Sequence, residues 1–83
     1  MKISEMTRLD YEIMVREREL KETQENIDHY AALIQQSAQT GDPVDMVTRI
    51  PVYTENLRSA MIKMEVLTAN MKGLQELKQE VES

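Results

Sequence analysis

Gly41-Asp42-Pro43-Val44-Asp45-Met46-Val47-Thr48-Arg49-Ile50-Pro51 is the stretch in which the helix-breaking residues of this chain gather. Gly41 suits the left-handed cap that closes a helix. Asp42 followed by Pro43, with a second acid at Asp45, is a restart signal: an N-cap, a first helical residue that needs no amide proton, and a negative charge at the positive end of the dipole. A short helical turn through Ile50 is expected. Pro51 cannot donate its amide and crowds the preceding turn, so the chain is expected to bend there. The resulting layout is one domain over residues 1–83, with a helix over about 3–38, a loop containing the short turn over 39–51, and a helix over about 52–80.

On each side of this segment apolar residues recur at alternating steps of three and four, the spacing that keeps one stripe of a helix facing a partner. The first seam is Met6, Leu9, Ile13, Arg16, Leu20, Thr23, Ile27, Tyr30 and Ile34. The second is Tyr53, Leu57, Ala60, Met64, Leu67, Met71, Leu74, Lys78 and Val81. Residues 3 to 38 contain neither Gly nor Pro and are rich in good helix formers, and Ser4 with Glu5 can start that helix. At ~1.5 Å per residue it spans roughly 50 Å. The predicted fold is all-α: an antiparallel helical hairpin, a two-helix coiled coil, completed to a bundle by oligomerisation.

In an antiparallel pair the facing residue numbers have a constant sum, and a connection centred near residue 43 or 44 requires about 87. The seams meet this requirement: Tyr30 faces Leu57, Ile27 faces the small Ala60, Leu20 faces Leu67, Leu9 faces Lys78 and Met6 faces Val81. Arg16, Thr23 and Lys78 interrupt the seams with polar groups. Their stems can pack while the charges reach water, and Glu12, Glu19 and Glu76 are the expected partners.

A hairpin of 83 residues with no Phe, no Trp and three Tyr has a thin core. Ordering costs about 1.5 kcal/mol per residue against ~25 cal/mol per Å² of apolar burial, so two such helices alone come out near or below zero. A second stripe answers this need. Ile62, Val66, Ala69 and Gly73 recur on the side of the second helix away from its seam, with Met61 and Leu77 flanking. Tyr11, Met14 and Val15 form a smaller outward patch on the first helix. These nine residues are the candidate interface, for a second copy of the chain or for a helical protein partner.

Composition narrows the remaining classes. There is no Cys, which removes disulfides and thiolate metal sites and suits a reducing compartment. The net charge is −5, with five bases against eight acids over residues 1–41 and five against seven over 42–83. A polyanion is repelled by such a chain, so no nucleic-acid partner is expected. No apolar run of ~20 residues crosses a bilayer, and Met1-Lys2-Ile3-Ser4-Glu5 lacks the apolar core of a signal peptide. A cytoplasmic location is expected, with signal-independent export compatible.

Nothing in the residues points to catalysis. His29 is the single His, and although Glu25 lies one turn before it, no nucleophile or second ligand converges there. The di-iron helical pattern needs Glu three residues before His, where this chain has Asn26. Gly41 and Gly73 are isolated, so no Gly-rich phosphate loop exists, and no acidic array has calcium-loop spacing. No cofactor, metal or small-molecule substrate is expected.

Gly41-Asp42-Pro43-Val44-Asp45-Met46, followed by Thr54-Glu55-Asn56, Leu67 and Lys72-Gly73, resembles the carboxy-terminal helix of flagellar proximal rod proteins. The general shape is similar to that of the small two-helix subunits of type III secretion needles. The resemblance spans residues 41–77 and implies a helix that packs against copies of itself in an axial assembly. The first half lacks the Asn-rich segment ending in Thr-Pro-Gly of the rod pattern, and Pro51 has no place in it. Three functions are therefore weighed: a non-enzymatic interaction module (adaptor, assembly factor or small chaperone), a structural subunit of an axial filament or virion, and an acidic inhibitor of a nucleic-acid-binding protein.

Overall fold

A computed structural model describes the backbone over residues 3–82 and the side chains over residues 8–82. The chain is all-α: α1 runs Ile3–Thr40, α2 Pro43–Thr48 and α3 Ile50–Glu82. The two long helices lie against one another and α2 touches both. The whole measures 61 × 14 × 14 Å, the length of a 38-residue helix and little more than the width of one helix with its side chains. The expected start at Ser4 and Glu5 and the layer of Met6 with Val81 involve side chains outside the described residues.

The turn is built by local chemistry. Gly41 takes φ 66°, the left-handed conformation that costs glycine nothing, and α1 therefore reaches Thr40, where the Thr hydroxyl donates to the Ser37 carbonyl at 2.8 Å. Asp42 is the N-cap of α2, its carboxylate accepting from the Val44 amide at 2.9 Å, with Pro43 at the first helical position. Pro51 behaves differently from expectation. Instead of preceding α3 it lies inside it as the second residue. The reason is that the first turn of a helix leaves its amides unbonded in any case, so proline costs little there. What its missing N–H removes is the rung to the Val47 carbonyl, and that gap separates α2 from α3. Arg49 alone joins them, its amide donating to the Asp45 carbonyl at 2.9 Å and its carbonyl accepting from Tyr53 at 3.0 Å.

Between α1 and α3 the residues of both seams are withdrawn from water. From Leu9 to Ile34 and from Tyr53 to Val81 every seam position is buried or half-buried. The most enclosed level is at mid-length, where Leu67 is 5 % exposed, Met71 7 % and Thr23 2 %. Thr23 is tolerated there because its hydroxyl donates to the Glu19 carbonyl one turn back, at 2.7 Å, so no donor is left unsatisfied. Arg16 is half-buried and held between Glu12 at 3.4 Å and Glu19 at 3.5 Å on its own helix. Lys78 reaches across to Asp10 of α1 at 2.6 Å, one residue from the expected Leu9 level, with Glu82 behind it at 3.8 Å. Its expected partner Glu76 is not used, because residues two apart on a helix point in different directions.

Leu67→Ala opens a hole at the most enclosed level and is expected to lower stability by about 2–4 kcal/mol, read by urea denaturation followed by circular dichroism. The hydrogen bond and charge of Asp10 raise the Lys78 ammonium above its ordinary value of 10.5. Because the folded value is the higher one, the stabilisation is complete below pH 10.5 and is lost as pH rises through the folded value. Lys78→Met is expected to remove that alkaline component, so the stability difference between it and the wild type should shrink above pH 10.5. A difference independent of pH would reject the pair as its source.

Candidate interaction surface

The outer face of α3 starts from a spacing. Ile62, Val66, Ala69 and Gly73 step by four, three and four, which keeps them in line along a helix of 3.6 residues per turn. Leu67 and Met71 occupy the opposite side, buried against α1, and this orientation turns the second stripe outward. Ile62 is 53 % exposed and Val66 55 %; Ala69 and Gly73 are exposed as well. Met61 and Leu77 flank the stripe and are exposed.

Gly73 is informative on its own. Glycine inside a helix is roughly 1 kcal/mol less favourable than alanine. A Cβ built at Gly73 would meet nothing within 4 Å, so no contact inside the chain requires its absence. Beside it α3 and α1 leave a groove of about 850 Å³, floored by Ala69, Gly73 and Leu74 and walled by Arg8, Glu12 and Arg16. The stripe and the groove share Ala69, Gly73 and Leu77, so one continuous recess runs from the back of α3 toward the seam near the Asp10–Lys78 pair.

The smaller patch on α1 divides. Tyr11 and Met14 are exposed, whereas Val15 is half-buried. Glu12 and Glu19, at three and four residues from Val15, are also half-buried, which marks that side of α1 as the flank of the seam. Tyr11 and Met14 therefore stand apart from Val15 and from the α3 stripe. The pattern reading missed a further cluster at the turn: Val44, Met46, Val47 and Val52 are all at least half exposed. The sequence signal for it was a six-residue helix with three apolar side chains, too short to turn them all to one face.

The chemistry available elsewhere is slight. His29 is exposed and meets Tyr30 edge-on at 5.4 Å between ring centroids. Among the described residues no three His, Asp or Glu side chains converge in a metal-binding arrangement, and no helix is long and apolar enough to cross a membrane. No family model matches the chain, and no curated protein or solved structure matches it significantly.

Gly73→Ala is expected to stabilise the isolated chain by about 0.5–1 kcal/mol, since the added methyl enters open space and the helix gains propensity. Thermal denaturation at a concentration below any self-association checks this. A loss of stability there would mean that something inside the chain already occupies the space.

Proposed function

We propose that this chain is a non-enzymatic protein–protein interaction module, an antiparallel helical hairpin with coiled-coil packing that presents the outer face of α3 to another helix. One observation carries this reading. Ile62 and Val66, both more than half exposed, lie in line with Ala69 and Gly73 on the side of α3 that α1 cannot reach. Monomeric proteins seldom leave a long apolar stripe in water, and such stripes mark contact sites.

Energetics support the same reading. The only apolar residues less than a tenth exposed are Leu67 and Met71 among those described. A core of that size scarcely offsets the ordering of two long helices. Covering the second stripe would bury a comparable set of side chains and stabilise the folded form by mass action. Adaptor, assembly factor and small chaperone are the roles that fit a sticky helix face of this kind.

An axial structural subunit is the second reading, favoured by the exposed Val44, Val47 and Val52 at the turn, apart from the α3 stripe. Two different surfaces on one chain allow head-to-tail contacts that do not close.

Val66→Glu places a charge in the middle of the stripe and touches nothing in the seam. It is expected to abolish assembly while helicity by circular dichroism stays largely intact, with sedimentation velocity as the measure. Unchanged sedimentation of the variant would reject the α3 face as the contact. Wild-type species that keep growing with concentration, without a plateau, would favour the axial reading over a closed module.

A further inference from the structure

We infer that the occupant of the α3 outer face is a second copy of this chain, docked through its own α3 in the opposite sense about a two-fold axis at the level of Leu67 and Thr68. The inference rests on the α3 face being the contact surface, as proposed above.

Size is the first argument. This centring sets Val66 over the partner's Ala69 and Ile62 over the partner's Gly73, and the two-fold axis repeats both contacts. Each of these apolar layers then combines a large side chain with a small one, the arrangement close packing prefers. Sliding the partner helix by one heptad in either direction sets Ile62 on Val66 or Ala69 on Gly73, which crowds the layer in one case and empties it in the other. A same-sense pair sets each residue on its own copy, with Ile62 on Ile62 and a void at Gly73. The empty space around Gly73, which nothing inside the chain explains, is filled by an apolar side chain in the proposed arrangement, where Ile62 enters it.

Charge is the second argument and is independent of the first. The same centring brings Glu65 beside the partner's Lys72 and Arg58 beside the partner's Glu76. With the symmetry copies this makes four pairs of opposite sign along one flank. All four side chains are exposed, and among the described residues none of them is in an ion pair within the chain. On the other flank Lys63 faces the neutral Asn70 of the partner subunit. Like charges meet only at the outermost level, where Glu55 approaches the partner's Glu80. A same-sense pair would instead bring Arg58 against the partner's Lys63. Both the steric and the charge pattern are thus complementary to themselves under one operation, as an isologous contact requires.

The test is a charge exchange across the axis, read by sedimentation equilibrium with circular dichroism as the check on folding. Glu65→Lys and Lys72→Glu each turn two attractions into repulsions, and each is expected to weaken self-association roughly tenfold. The double variant Glu65→Lys/Lys72→Glu should recover the wild-type constant. So should an equimolar mixture of the two single variants, because a heterodimer then restores both pairs; only the opposite-sense arrangement predicts that recovery. Single variants that associate like the wild type, or a mixture that fails to recover, would overturn the inference. If Val66→Glu still abolishes assembly in that case, the α3 face survives as the contact and only the docking mode is wrong. A wild type that stays monomeric at all concentrations overturns the second copy as occupant and leaves the face to a different helical protein.

Discussion

The structure depends on a single narrow contact, the line of side chains between α1 and α3. Each long helix withdraws one stripe from water, and the most enclosed side chains are Leu67 and Met71 on α3 and Thr23 on α1. Because that stripe covers one side of each helix, most of the surface of both helices remains outside. Anything that shifts the register by one position would bring a different set of side chains to the contact and leave the apolar ones in water. The polar members of the seam therefore matter more for alignment than for strength. Lys78 can meet Asp10 only near this register, and the exposed setting of both groups makes the pair a weak stabiliser.

The same narrowness explains the distribution of polar groups. Thr23 is the most buried residue described, yet its hydroxyl is satisfied by its own helix at Glu19. Arg16 is likewise held by Glu12 and Glu19 of α1. Neither group asks the facing helix for a hydrogen bond, so both can lie in the seam without an unpaired donor. Lys78 is the exception, crossing to α1 near the end of the seam where water is close.

Features set by local chemistry were legible in the sequence, and those set by distant geometry were not. Gly41, Asp42 and Pro43 act on their own turn and announce the end of one helix and the start of the next. The seam positions were legible for a similar reason, since the three-four spacing with a constant sum of facing residue numbers picks out one continuous line of large apolar side chains on each helix. Pro51 reads as a bend ahead of the second long helix; the break is present at Arg49, and the helix takes in Pro51 as its second residue because a first turn leaves its amides unbonded in any case. The Asp10 partner of Lys78 lies across the seam, where pairing depends on side-chain direction as well as on register, so the search along the same helix stopped at Glu76. The groove beside Gly73 depends on both helices at once. Only the small side chains at Ala69 and Gly73 hinted at it.

The overall charge of −5 opposes pairing of two copies, and its distribution decides how strongly. Between residues 58 and 76 three bases, Arg58, Lys63 and Lys72, stand against two acids, Glu65 and Glu76. The proposed contact face is thus the part of the chain where the acidic excess vanishes, and the surplus sits on α1, the turn and the far end of α3. Where Glu80 of that far end approaches the partner's Glu55 the repulsion counts against pairing, and charges farther apart than the ~8 Å screening length at physiological ionic strength are largely damped. Pairs formed at contact distance across the face are damped less. A chain that is acidic as a whole can therefore carry a face on which a second copy is attracted, provided the copies meet in the one orientation that sets each base beside an acid.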